Sequence, residues 1–301
     1  MTAFPRGVEH GGGRVAGRVE GRSRALVLGG GGIAGIAWEI GLLAGLAEHG
    51  VDVRAADLIV GTSAGSIVGT LLLRGGDLQE LYAVQATPPG PEEPVVEFDA
   101  LAMMTAFGEV LAGATAEQDA RARIGGLALR SSSVPESERR AIIAGRVGDP
   151  DWPEGRLVVT AVDTGDGSFH AFDSTSGIPL LDAVAASCAV PTVWPPTTIG
   201  GRRFMDGGMR SMTNADLAAG AKKVLVVAPF PGTPGNPMGP DLAGETEVLR
   251  RDGEVHVLLA DDAALEAFGT NPLAPASRQP AALAGRAQAD AVWAEVAAFW
   301  S

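Results

Sequence analysis

Five consecutive residues, Gly61-Thr62-Ser63-Ala64-Gly65, carry the clearest chemical signal in this 301-residue chain. A serine with glycine two positions away on each side fits the G-x-S-x-G nucleophile elbow, a turn so sharp that it lifts the hydroxyl out of the fold toward an acyl carbon. Gly61 and Gly65 are the residues that permit the turn. The setting agrees, because the apolar run Asp57-Leu58-Ile59-Val60 precedes it and an apolar helix-like run follows. A serine hydroxyl needs a base, and the chain has four histidines: His10, His49, His170 and His256. Ser63, Asp206 and His256 follow the chain order of an α/β-hydrolase triad. Yet His256 lies in Val-His-Val-Leu-Leu, where two-residue alternation sets it along a strand face. The other candidate base is a carboxylate, Asp206, which opens Asp206-Gly207-Gly208. An Asp before glycines is by itself an ordinary turn signal.

A second glycine cluster lies upstream in Leu-Val-Leu-Gly-Gly-Gly-Gly-Ile-Ala-Gly, residues 26–35. Its spacing Gly30-x-Gly32-x-x-Gly35 fits a dinucleotide fingerprint, whose backbone N–H groups approach a pyrophosphate at a helix N-terminus. The same N–H groups could stabilise an oxyanion. A dinucleotide site would want an acidic residue some twenty positions on, at the end of the second strand. Here that strand end is occupied by the serine turn itself, which disfavours a nicotinamide-dependent oxidoreductase.

The glycine turn, the G-x-S-x-G about thirty residues later and the distant D-G-G together resemble the patatin-like phospholipase family, as does Asp-Ala-Val-Ala-Ala-Ser-Cys-Ala-Val-Pro-Thr-Val-Trp-Pro-Pro over residues 182–196. The resemblance runs from about residue 24 to residue 229. It implies a three-layer α/β/α fold with a central, mostly parallel sheet, and a serine hydrolase acting on lipid or other acyl esters without metal or organic cofactor. Carried over residue by residue, Ser63 is the nucleophile, Asp206 its base, and Gly30, Gly31, Gly32 and Ile33 the oxyanion donors. Cys188 becomes a small core residue. The family's loop arginine is replaced by Ala34, which removes a positive charge, and an arginine restored there is expected to preserve or raise activity. A non-catalytic acyl-binding protein is the alternative reading of that replacement.

These residues must be positioned by elements. Residues 25–28 and 57–60 read as short buried strands, each followed by a glycine turn and an apolar helix, over 33–48 and 66–73; Gly50 is the expected stop of the first helix. Strand, turn and helix, repeated, predict a parallel sheet. Residues 88–151 open with a Pro/Glu-rich link and continue at helical spacing, a helical insertion that could cover a site. The alternation around Asp163-Thr-Gly-Asp-Gly167 predicts a hairpin with a plain turn, its residues not filling the positions of an EF-hand loop. A helix over 180–190, a hairpin over 197–208, buried strands over 222–229 and 254–260, and a mostly helical tail over 263–300 complete the expected domain of residues 24–301.

Composition bounds the rest. With 36 acidic and 23 basic residues the net charge is −13, which argues against nucleic acid or strongly anionic membranes as obligatory partners and leaves transient contact with a membrane surface open. The single cysteine permits no internal disulfide and suits the cytoplasm. Residues 1–23, rich in Gly and Arg, read as a disordered leader. The apolar run over 25–47 could imitate a signal anchor, but four glycines at its centre make a poor bilayer helix and a good strand-to-helix turn.

Overall fold

A computed structural model describes residues 23–89, 98–131 and 134–301. The expected leader lies outside the described residues apart from Ser23, which is buried. The chain enters through β1 (Arg24–Leu28) and α1 (Gly32–Glu48), then β2 (Leu58–Gly61) and α2 (Ala64–Leu73). Helices α3 (Leu78–Gln85), α4 (Ala100–Leu111), α5 (Glu117–Arg130) and α6 (Glu136–Val147) follow before the sheet resumes. It continues with β3 (Leu157–Asp163), β4 (Phe169–Phe172), α7 (Leu180–Ser187), β5 (Thr197–Ile199) and β6 (Arg202–Asp206). The last elements are β7 (Lys223–Ala228), α8 (Leu242–Leu249), β8 (Glu254–Leu259), α9 (Asp262–Phe268) and α10 (Arg278–Trp300).

The strands form one sheet in the order β5-β6-β3-β2-β1-β7-β8, with β4 also paired to β3. The β3-β2-β1-β7-β8 pairs are parallel, whereas β4, β5 and β6 pair antiparallel. All residues of β2 and β3 are buried, as are Ala25 to Leu28 of β1, the signature of strands covered on both faces. Alternation then divides them between two layers. Leu26, Leu28, Ile59, Val159 and Leu225 join a core with α1, α2, α6, α7, α9 and α10. Ala25, Val27, Val60, Val158 and Val226 face α8 and the short 3-10 turn Ala215–Ala218. Further along that second face, Val162 and Met205 pack on Phe107 of α4 and Ile124 of α5.

The three-layer α/β/α architecture therefore holds. Both strand–turn–helix units and both hairpins stand where expected, and Gly50, at φ +81°, ends α1 as its left-handed stop. The helical insertion also forms, but it is divided: α4 and α5 serve the second face, and only α6 lies with the helices of the first. No helix among the described residues is long and apolar enough to cross a membrane. The apolar run over 25–47 is β1, a turn and α1.

Candidate active site

Ser63 stands between β2 and α2 with φ +53° and ψ −114°, a strained conformation for a side-chain-bearing residue. What holds it there is close packing of glycine. A Cβ at Gly65 would lie 2.1 Å from the Leu28 carbonyl oxygen, so α2 can begin against the end of β1 only without a side chain at that position. Two further groups fix the turn from below. The Ser63 N–H donates to Ser187 Oγ at 2.8 Å, and the Cys188 thiol donates to the Ser63 carbonyl at 3.3 Å. The end of α7 is thus a cradle for the elbow, and Cys188 is buried, its thiol pushed up to about 11 by burial.

Register brings Asp206 to the same height. Gly61 pairs with Val159 of β3, and Ala161, two residues further along β3, pairs with Asp206 of the antiparallel β6. Two residues past Gly61 comes Ser63, so serine and aspartate face each other across β3. Asp206 is anchored by its N–H, which donates to the Ala189 carbonyl at 3.0 Å, and by Oδ1, which accepts the Gly208 N–H at 2.7 Å. The same α7 extension thereby touches both residues. Burial pushes the Asp206 carboxyl up to about 6, opposed by the Ser63 hydroxyl, the Gly208 N–H and the charge of Arg139. Oδ2 accepts no hydrogen bond among the described residues.

Asn214 locks the two halves together. Left-handed at φ +49°, it donates from Nδ2 to Thr62 Oγ1 at 3.1 Å, to the Gly207 carbonyl at 3.2 Å and to the Ser211 carbonyl at 2.7 Å. The residue before Ser63 is tied in this way to the residue after Asp206.

The glycine loop ends at the same sheet edge. Gly32, at φ +65°, turns the chain into α1, and a Cβ there would meet Leu273 Cδ2 at 2.6 Å. One of the four expected donors is spent: the Gly30 N–H donates to the Met212 carbonyl at 2.8 Å, since the segment after Asp206 folds back over the loop. The N–H groups of Gly31, Gly32 and Ile33, and that of Ala64 after the serine, have no acceptor among the described residues. Ala64 was not expected from the sequence, although the elbow motif itself points to the residue after the nucleophile. The Ala34 N–H is taken by the Pro272 carbonyl, and its side chain is fully buried, so a restored arginine would be forced into the core, which argues against the expectation of preserved activity.

The histidines lie elsewhere. His256 is on β8, three strands from β2, with Nδ1 3.6 Å from Glu295 Oε1 and its ring against Phe299. That excludes it as the base of Ser63. His170 bonds Ser168, His49 stacks on Trp293, and His10 lies outside the described residues. Among the described residues no cluster of His, Cys, Asp or Glu could hold a metal. Ser63 opens into a small cavity of about 30 Å³, lined by Gly32, Ile33, Ala64, Arg139 and Trp194 among others. Through Ile33, Ile36, Ile67 and Arg146 it adjoins a larger cavity of about 240 Å³ walled by Leu71, Leu81 and Val84. Ser187, Asn214, Arg139 and Trp194 are the site residues that sequence reasoning did not single out by role.

A family model described as patatin-like phospholipase matches residues 26–88 and 92–219. The lysophospholipase nte1 of Aspergillus oryzae is 46% identical over 69 residues, 23% of this chain and 4% of that protein. The lysophospholipase NTE1 of Pyricularia oryzae is 41% identical over 71 residues, 24% of this chain and again 4% of that protein. The matched stretch thus spans a small fraction of these relatives' length. Among solved structures, VipD from Legionella pneumophila superposes with a TM-score of 0.43 and 14% identity, covering 91% of this chain and 67% of that one.

Proposed function

The chain belongs to the patatin-like phospholipase family, and from that premise we propose that it hydrolyses lipid acyl esters, lysophospholipids among them, through a Ser63–Asp206 dyad. The observation that carries this reading is the register that sets a strained, glycine-flanked serine level with a buried aspartate. In the first step Ser63 Oγ bonds to the ester carbonyl carbon while its proton passes to Asp206. The carbonyl oxygen becomes an oxyanion, held by N–H groups from Gly31, Gly32, Ile33 and Ala64. Collapse breaks the bond to the alcohol, which leaves with the proton from Asp206. Water then attacks the acyl-serine, giving one proton to Asp206, and the carboxylic acid departs as that proton returns to Ser63.

Asp206 suits this work because its acidity, about 6, is closer to neutrality than that of an exposed carboxylate. The larger cavity has the apolar walls that an acyl chain would occupy. The test is covalent labelling by a fluorophosphonate together with hydrolysis of 1-oleoyl-lysophosphatidylcholine. Wild type should take up one label and release oleate, and Ser63→Ala should do neither. Labelling that persists in Ser63→Ala would put the nucleophile elsewhere.

A further inference from the structure

Two arginines of α6 line the cavity around Ser63, the half-buried Arg146 and the buried Arg139, and Arg139, whose charge also bears on Asp206, has a role beyond the dyad to explain. Arg139, on α6, is 5% exposed and lines the same small cavity as Ser63. Its guanidinium carbon lies 3.8 Å from the centre of the Trp194 ring, a stacked cation–π arrangement. Its polar contacts are sparse. Nη2 donates to the Cys188 carbonyl at a long 3.4 Å, and Nε has no hydrogen-bond partner. Among the described residues it forms no ion pair. Burial lowers its pKa to about 10, which still leaves it charged at neutral pH. A buried guanidinium with an orphan N–H, attracted by the Asp206 carboxylate but in no direct ion pair with it, is costly to fold around. An unpartnered buried N–H on a cavity wall is a place where an ordered water or an anion can bind. The rest of the site sharpens the point: the loop position where the family carries arginine is Ala34, buried and without charge, so Arg139 comes from a different element and enters the cavity from the α6 side.

From this we infer that Arg139, held flat on Trp194, is the specificity-determining group that receives the phosphate of a phosphate-bearing acyl ester while the acyl carbonyl lies at Ser63. The inference rests on the hydrolytic reading for the identity of the ester, and on geometry alone for the anion. A guanidinium offers forked donors that match phosphate oxygens, and stacking leaves that fork pre-oriented. With Ile33, Ile36 and Ile67 leading away into the larger cavity, whose lining is apolar apart from Gln85, Arg146 and Arg278, a head group at Arg139 and an acyl chain would diverge from Ser63 in different directions.

The test uses a matched pair, 1-oleoylglycerol 3-phosphate and 1-oleoylglycerol, which differ only in the phosphate, presented in neutral detergent micelles. The readout is the ratio of their kcat/KM values, which is insensitive to how much protein is folded and to any change in Asp206. Wild type should favour the phosphate ester, Arg139→Gln should lower the ratio by 10- to 100-fold, and Arg139→Lys should fall between. A ratio unchanged within threefold in Arg139→Gln overturns the inference. Calorimetric titration of the same two lipids into Ser63→Ala, with and without Arg139→Gln, keeps the question separate from catalysis. If wild type cleaves neither ester, the hydrolytic reading fails, and the inference then stands or falls on whether Arg139→Gln weakens binding of the phosphate lipid at least tenfold more than that of its neutral partner. Inorganic phosphate supplies the last arm: binding as tight as that of the phosphate lipid would make this a free-anion site and overturn the head-group assignment.

Discussion

In the proposed dyad Asp206 must be ionised to take a proton from Ser63, yet burial resists its ionisation. With its pKa at about 6, kcat/KM should be flat above neutrality and fall toward a tenfold loss per pH unit below 6. A limb centred near 4 would mean that the carboxylate is solvated during catalysis. Substituting either member of the dyad should cost roughly 10³- to 10⁶-fold, with Ser63→Ala/Asp206→Asn little worse than either alone. Stability should move the opposite way. The folded pKa of Asp206 lies above its ordinary 3.8, so the folded state binds more protons between pH 4 and 6 and loses stability as pH rises through that window. Asp206→Asn, which can keep the Gly208 bond through its amide oxygen, should therefore be more stable than wild type at pH 8, by up to about 3 kcal/mol. That gain should vanish by pH 4. Thermal melts across the range decide it, and a destabilised Asn variant at pH 8 would contradict the burial argument. The places of Ser63 at a strand-to-helix turn and Asp206 at a strand end were legible because each sits in a local motif. That Gly30 is spent and Ala34 enclosed was not, because those facts depend on the carbonyls of Met212 and Pro272, far away in the chain.

At the scale of elements, legibility followed periodicity. Strands β1, β2, β3, β7 and β8 are short apolar runs closed by glycine, proline or a charged residue, and all stand close to their expected bounds. Helices α3 and α8 were not foreseen, being eight residues each with few buried positions. Their Asp77 and Asp241 caps, which accept backbone N–H groups, were the available signal. Sequence spacing marks the insertion as helical but not as divided, since it does not say which face of a sheet a helix will cover. The strand-to-helix corner is where an element most directly sets the chemistry. Gly65→Ala would drive a methyl group to within 2.1 Å of the Leu28 carbonyl oxygen, so α2 must shift and carry Ser63 with it. Fluorophosphonate labelling should drop at least 10²-fold, along with a clear fall in Tm. A Gly65→Ala protein that labels at the wild-type rate would show that the corner has slack the packing denies.

For the molecule as a whole, the region carrying the sequence motifs ends near residue 229, but the fold does not. Strand β8 extends the sheet beside β7, and α10 lies along α1, the helix that begins at the glycine loop. Trp38 of α1 donates to Gln288 Oε1 at 2.9 Å, and Trp300 at the end of α10 is buried, its Nε1 donating to the Asp52 carbonyl. The two helices approach so closely that a Cβ at Gly285 would sit 2.2 Å from the Trp38 carbonyl oxygen and 3.0 Å from the Leu42 nitrogen. These are backbone atoms inside a regular helix and cannot swing aside. Gly285→Val should therefore lever α10 off α1 and cost about 3 kcal/mol or more, which for a domain of this size lowers Tm by roughly 6–12 °C. The control is Gly108→Ala in α4, where the added methyl group meets nothing within 4 Å and helix propensity favours alanine, so Tm should hold or rise slightly. Because Gly285 packs on the middle of α1 and not on its N-terminal turn, the destabilised variant should still label at Ser63 when assayed well below its Tm. Loss of labelling in a protein that remains folded by circular dichroism would mean that α10 positions the glycine loop itself, and that the active site reaches the last helix of the chain.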